Sequence, residues 1–598
     1  LRISLRYWFS IALNEGLRFS LPKLLMKYFK IILLLFIPIC LAGQDVEQEF
    51  NSFKDRWSKD PLKLSSSIGF NSTFSGSNDD NSYRIPFGYN IFGNINFDFL
   101  GIQAPLGFFY SNQNTQFNLP AYRFIGISPS YKGYTLHLGD RNMQFSPYTF
   151  NNIGFTGVGI EADNNGLHIK SFYGRIQRAT IKDINTHNNF TSAFKRMAWG
   201  ANAEYKIKNS LLGLQLFHAS DDVNSIPIAN PDSIKPQSNS ILGLKFEQKF
   251  GIISLKSEYA FNALSRDASL ENTNDNKHLL SFVNKDNNST GIYNAFRSAI
   301  EVTINKSFVG LDFERIDPGY ESLGTLFFNN DMETISSFLR MPFLKNKLQT
   351  NFRFGLQRNN LKKTRINSYR RWTTSANIAY QASKKTSFNV NFNNFQFDQK
   401  TYINPTPFLD VDTIFITQNN LNAGLGFNHN INDKNKILIS LSYNNSNSRK
   451  NDIIQQNADV TNILGNAMYM VNSSNGLNYG FTLTYSNLNY ALGNTTLIGP
   501  SAQMSKDWIK EKWSSSFSAS FFSGNANKMK NQILRFYLTN SYSLTKELKT
   551  NFQLMFNHIK NKNETPNNDL FLNLSINYTM ESKTIIKSFK KKQLNNEI

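Results

Sequence analysis

From about residue 60 almost to the end of the chain, large apolar residues take every second position, and Asn, Ser or Thr mostly fill the positions between. The clearest copy is Leu570-Phe571-Leu572-Asn573-Leu574-Ser575-Ile576-Asn577-Tyr578-Thr579-Met580, and a second sets Trp513, Ser515, Phe517, Ala519 and Phe521 against Ser514, Ser516, Ser518 and Ser520. Period two is the pattern of a β-strand with one apolar and one polar face. Roughly 24 to 26 such segments follow one another, each near the length a tilted membrane strand needs. So many apolar faces cannot be hidden in one sandwich core. The apolar side must meet lipid and the polar side water, which predicts an all-β fold: a single large antiparallel transmembrane β-barrel over residues 62–582.

The connections support that reading. Short turns such as Asp163-Asn164-Asn165-Gly166, Lys208-Asn209-Ser210 and Phe250-Gly251 alternate with long polar stretches at 220–240, 265–290, 398–412 and 450–459. Short turns at one end and long loops at the other mark an outer-membrane barrel. No sequence repeat of fixed period is present, which counts against solenoids and propellers. The register breaks once in an informative place. Phe388, Val390 and Phe392 share one face, Phe395 and Phe397 the other, and a bulge near Asn393-Asn394 is expected to reconcile them.

Assigning the large apolar residues to lipid also predicts the lumen. In the segment 292–304 the outward set is Ile292, Phe296, Ile300, Val302 and Ile304, with Asn294 and Ser298 as polar exceptions, and the inward set includes Arg297 and Glu301. The same parity turns Glu204, Lys245, Glu247, Lys256, Glu258, Asp312, Glu314, Arg353 and Arg371 inward. An Arg or Lys facing lipid at mid-depth would cost roughly 2–4 kcal/mol, which favours this register. Later strands line the lumen with Asn422, Asn428, Ser440, Ser442, Asn444 and Ser514. The charged sector reads either as a selectivity lining for a hydrophilic solute or as a salt-bridge lattice that props the barrel open or holds an inward loop. Two segments, Leu138 to Phe150 and Glu314 to Asp331, interrupt the alternation with Pro, Gly and charge. They are read as loops folded into the lumen, with Asp140, Arg141, Tyr148, Asp317, Tyr320 and Asp331 as candidate residues; ordinary structured loops are the alternative.

The N-terminus has a different organisation. Lys27 and Lys30, the apolar run from Ile31 to Ala42, and Gly43-Gln44 make a signal peptide over 26–43, with residues 1–25 read as a non-native extension ahead of Met26. Val46, Phe50, Phe53 and Trp57 then form one stripe, which predicts a short amphipathic periplasmic helix over 44–61. A basic tail, residues 583–598, is expected in the periplasm. Aromatics make up 14% of the chain, with 52 Phe and 25 Tyr, yet the mean hydropathy is −0.39, as polar alternate positions require. The net charge is +21, of which Arg2, Arg6, Arg18, Lys23, Lys27 and Lys30 against Glu15 account for +5. Because the basic residues are scattered, nucleic acid is not the expected partner; anionic lipopolysaccharide at the rim, or anion attraction into the pore, fits better.

Candidate chemistry is sparse. The only cysteine, Cys40, lies within the signal. The histidines His137, His168, His187, His218, His278, His429 and His558 have no metalloprotease spacing, and no Gly-x-Ser-x-Gly elbow lies near them. No catalytic residue, metal or cofactor is assigned.

Several stretches resemble a group of large outer-membrane barrels of Bacteroidota: Asp60-Pro61-Leu62-Lys63-Leu64, Tyr110-Ser111-Asn112-Gln113, Gly126-Ile127-Ser128-Pro129, Leu138-Gly139-Asp140-Arg141, Phe145-Ser146-Pro147-Tyr148-Thr149, Tyr173-Gly174-Arg175 and Asp317-Pro318-Gly319-Tyr320-Glu321-Ser322-Leu323-Gly324. The resemblance implies a lineage and a compartment, the outer membrane, without a substrate. It departs from TonB-dependent transporters, since strands begin soon after the signal where a plug domain would stand. The function expected is a passive channel for hydrophilic solutes with a charged, loop-constricted lumen. A structural or secretion-accessory barrel that binds another envelope protein is the alternative, and a rim-located hydrolase a further one.

Overall fold

The computed structural model describes residues 62–584, apart from 79–85, 100, 113–122, 183–190, 228–232, 274–277, 284, 327–328, 402–413, 452, 455–458, 474, 492, 511, 528 and 563–564. The signal segment, the expected helix over 44–61 and nearly all of the basic tail lie outside the described residues.

Alternation becomes a continuous antiparallel sheet of 28 segments. Arg123–Ile127 and Ser130–Tyr131 both pair with the same neighbours on either side and act as one interrupted strand, while Ile453–Ile454 only extends a hairpin. The result is a closed barrel of 26 strands. Closure is made by the first strand, Leu62–Ser77, and the last, Asn567–Thr584, paired from Lys63↔Thr584 to Ser77↔Asp569. That last strand runs to Thr584, two residues beyond the barrel boundary expected at 582. An even number of strands puts both ends of the wall at one end of the barrel, together with the tight turns. Asn165 and Gly166, both at positive φ (49° and 86°), make one such turn, the left-handed geometry that Asn-Gly pairs supply in hairpins. At the other end the connections are longer, as between Asp221 and Ser238 and between Ser265 and Thr290.

Strand parity sorts the two faces as the sequence predicts. Along Thr290–Ile304, Ile292, Phe296, Ile300 and Ile304 are exposed on the outer wall while Ala295 is fully buried inside. The two polar exceptions outside are hydrogen-bonded: Tyr259 donates to Asn294 Oδ1 at 2.6 Å, and the Ser257 and Ser298 hydroxyls lie 3.0 Å apart. Pairing within the face removes most of the cost of carrying them there.

The expected bulge at Asn393-Asn394 is absent. Thr386–Thr401 pairs without a shift to both neighbours, so Phe395 and Phe397 face the lumen. The reason is strand length: this strand has 16 residues, more than a membrane crossing needs, and its far end leaves the apolar band. There Phe397 packs on Tyr369 with ring centroids 5.2 Å apart, and the Arg371 guanidinium lies 4.7 Å from the Phe395 centroid.

Candidate functional site

The lumen is where this chain concentrates its polar chemistry. One sector of the inner wall is covered by two loops from the long-loop end. The first leaves the strand Tyr134–Asn142 at Met143 and returns at Gly154; the second leaves Ser307–Ile316 and returns at Met332. They meet in a short parallel ladder, Phe150–Asn151 against Gly324–Thr325, separate from the barrel sheet. Beneath them the wall turns inward Phe172, Phe217, Ile241 and Leu264, interspersed with Ala198, Ala219, Ala260 and Ala295, all buried. Phe150 is fully buried, its ring 4.3 Å from Phe172 and 5.7 Å from Phe217. Small inward residues make room. A Cβ on Gly200 would lie 2.6 Å from the Phe145 ring, and one on Gly243 3.2 Å from the Thr149 methyl.

Hydrogen bonds fix the orientation of this plug. The Tyr320 hydroxyl donates to the Tyr148 carbonyl at 2.8 Å, Thr149 Oγ1 donates to Gln215 Oε1 at 2.8 Å, and Asn262 Nδ2 donates to the Glu321 carbonyl at 2.7 Å. The Leu323 amide donates to Asn239 Oδ1 at 3.2 Å. Tyr148 reaches furthest, donating its hydroxyl to Glu314 Oε1 at 2.5 Å. Burial, and after it the Glu314 carboxylate, pushes the Tyr148 phenol far above its ordinary pKa; burial does the same to Tyr320. Both remain neutral donors at any physiological pH.

All eleven charged positions selected by parity lie on the inward face. Glu204, Lys245, Glu247, Lys256 and Glu258 form one group: Lys245 Nζ is 3.3 Å from Glu204 and 3.4 Å from Glu247, and Lys245↔Glu258 and Glu247↔Lys256 are cross-strand partners. Next to it, Arg297 opposes Glu258 and Glu314 across the strands and binds Asp312 with Nη2–Oδ2 at 2.5 Å; Glu301 lies on the same face four residues further along the strand. These nine residues therefore make a largely internally paired floor, on which Tyr148 stands. Arg353 and Arg371 belong to a different stretch of wall, and among the described residues neither makes an ion pair.

The six loop candidates separate. Tyr148 and Tyr320 are within the plug. Arg141 is inward but still on its strand, its Nη2 donating to the Pro105 carbonyl at 2.9 Å and to the Gly126 carbonyl. Asp140 is not in an inward loop: it lies near the end of the same strand on the outer face, accepting from the Ile125 amide at 3.2 Å. Asp317 accepts from the Asn294 amide at 2.9 Å and anchors the loop base. Asp331, almost fully buried, ties neighbouring connections together through Arg365 at 3.0 Å and the Leu361 amide at 2.8 Å. Carboxylates at these positions cap backbone groups, a role that Pro- and Gly-interrupted segments need and that parity does not reveal.

A closed wall, apolar outside and polar inside, around a lumen partly filled by its own loops, defines a large membrane-spanning β-barrel. No protein-family model and no curated protein matches the chain. Among solved structures, it is similar to the translocation pore of the P pilus usher PapC, at 11% identity over 87% of this chain and all of that one, with a TM-score of 0.37. It is also similar to the ferric enterobactin receptor PfeA, at 8% identity over 86% of this chain and 81% of that one, TM-score 0.37. The FrpB iron transporter from Neisseria meningitidis matches at 10% identity over 86% and 82%, TM-score 0.35. Likenesses this distant leave the functional reading to the chain's own residues.

Proposed function

We propose that the protein is an outer-membrane channel for hydrophilic solutes, in which a fixed two-loop plug narrows one side of a water-filled lumen. The observation that carries this reading is the asymmetry of the inner wall. The plug and its paired charges cover one sector, while beyond Arg353 and Arg371 the strands from Ile414 onward line the remainder largely with short uncharged polar side chains, Asn422, Ser440, Ser442 and Asn444 among them. Short turns at one end and long loops at the other then orient the barrel, with the loops outside the cell.

The outer wall at the long-loop end supports that orientation. Arg315↔Glu333↔Arg358↔Arg370↔Asp398↔Thr417↔Arg449 is an unbroken row of cross-strand partners. Its residues share the parity of the exposed Leu311, Ile335 and Phe354 and therefore face outward. Arg315 and Arg358 both bind Glu333, at 3.2 and 2.5 Å, with half of each guanidinium side chain still exposed. Four arginines against two carboxylates, just beyond an apolar band, suit the phosphates of lipopolysaccharide.

The test is conductance of the purified full chain in planar bilayers. Stable, discrete openings are expected. A membrane that stays sealed at every protein concentration would refute the channel and return the protein to a structural role.

A further inference from the structure

Away from the plug, the inner wall carries a pattern that a merely wet surface does not require. Arg353↔Ser375↔Asn393↔Asn422↔Asn444↔Asn462 is one continuous line of cross-strand partners, all on the inward face. Four asparagines thus stand on successive strands, spaced by the ~4.8 Å that separates neighbouring strands. They border a recess of about 550 Å³ that also takes in Thr373, Phe395 and Asn420, a size within the ~300–1,000 Å³ usual for ligand sites. Beside the recess, on the same inward face, glycine makes room for neighbouring amides. A Cβ on Gly424 or Gly426 would come within 2.2 Å of Asn391 Oδ1 or 2.1 Å of Asn389 Oδ1, so those amides lie flat over bare backbone.

Each asparagine amide brings two donors and an acceptor without a charge. Only part of that capacity is used: Asn391 Nδ2, from the next inward position beside Asn393, donates to Asn422 Oδ1 at 3.3 Å, and Asn422 Nδ2 donates to Asn444 Oδ1. The remaining amide groups lie on the lumen face as a neutral set of donors and acceptors. Such a set matches a molecule whose own groups are both donors and acceptors, namely a chain of hydroxyls. The spacing along the row is close to the length that one pyranose adds to an extended oligosaccharide. Phe395 adds an apolar surface of the kind that packs on the C–H face of a sugar ring. Arg353, which has no ion-pair partner among the described residues, stands at one end of the row with a fork suited to a carboxylate.

We propose that this stretch of wall is an oligosaccharide-binding site, in which an extended sugar chain lies along the asparagine row with an acidic unit at Arg353. It rests on the reading of the lumen as open to solutes. The experiment titrates the full chain in detergent by calorimetry with maltohexaose and with hexagalacturonate, and repeats both as blockers of bilayer conductance. Both sugars are expected to bind and to block, the acidic one more tightly. Arg353→Gln should reduce hexagalacturonate to the affinity of maltohexaose, and Asn422→Ala should weaken both about fivefold, the worth of one hydrogen bond. Asn422→Ser, which keeps a short polar side chain, should fall between Asn422→Ala and the parent, and Ser514→Ala on a distant strand should match the parent. A conducting channel that neither binds nor is blocked by either sugar would overturn the site and leave the channel standing. Binding without conductance would support the site and refute the channel. Binding that ignores both Arg353→Gln and Asn422→Ala would place the sugar elsewhere and overturn the assignment.

Discussion

Phe150→Ala should open the lumen without weakening the barrel. The ring is fully buried against Phe172, Phe217 and Phe145, and truncating a buried Phe costs about 3–5 kcal/mol. At about 1.4 kcal/mol for each factor of ten, docking of the plug loses roughly two to four orders of magnitude in its equilibrium constant. The loss falls on the plug because Phe150 belongs to a two-stranded ladder of its own, and every barrel strand keeps its hydrogen-bonded partners. Single-channel recording should therefore show a larger and noisier conductance, and limited proteolysis should cut the segments 143–153 and 317–331 that resist in the parent. Phe481→Ala removes a similar ring from the outer wall, where Phe481 is 56% exposed, and should change neither readout. If Phe150→Ala leaves conductance, noise and protease resistance unchanged, the two loops are not held as a plug by this cluster and the account of the lumen is wrong.

Three further outcomes follow from the same geometry. Phe395→Cys and Arg353→Cys should react with a water-soluble thiol reagent while Val390→Cys reacts only with a membrane-partitioned one; labelling of Phe395→Cys from the lipid side would restore the bulge and refute the observed register. Alkali should release the plug: burial holds the Tyr148 and Tyr320 phenols above their ordinary value, so an undocked phenol ionises near pH ~10 while a docked one does not. Docking is thus at full strength below about pH 10 and weakens above it, and conductance that stays flat from pH 8 to 11 would count against burial of these phenols. At the rim, the double change Arg315→Gln and Arg358→Gln should lower the lipopolysaccharide phosphate that co-purifies with the barrel, and unchanged phosphate would remove this row from the lipid contact.

Much of the barrel is legible in the chain because period two survives folding intact. A strand in a closed wall has only two faces, so deciding that Ile292, Phe296 and Ile300 meet lipid also decides that Arg297 and Glu301 meet the lumen. Parity carries no information about partners along the wall, however. It could not say that Lys245 would be paired with Glu204 while Arg353 would stand beside asparagines, because those facts depend on register between strands rather than within one. The misplaced bulge has a related cause. Assigning every aromatic to lipid assumes that the whole strand lies in the membrane, and Phe395 and Phe397 belong to the portion that does not.

The plug was written in the sequence in a form that the search for alternation passes over. Its two halves meet at Phe150 and Gly324, far apart in the chain, and no local pattern announces that pairing. Its footprint on the wall is local. Ile241-Leu242-Gly243-Leu244, Leu214 to Phe217 and Tyr259 to Leu264 carry apolar residues on both faces, interrupted inward by Gln215 and Asn262, and strands that read as nearly continuous apolar runs are those covered on both sides. A lumen face that turns greasy within an otherwise wet barrel must be covered by protein, since water on one side would leave Phe172, Phe217 and Ile241 exposed. The irregular segments at 143–153 and 317–331, interrupted by Pro147 and by Pro318 and Gly319, are those of the neighbouring long-loop end able to cover it. Failure of alternation over consecutive strands, taken with two irregular loops beside them, thus identifies both the plug and the surface on which it rests.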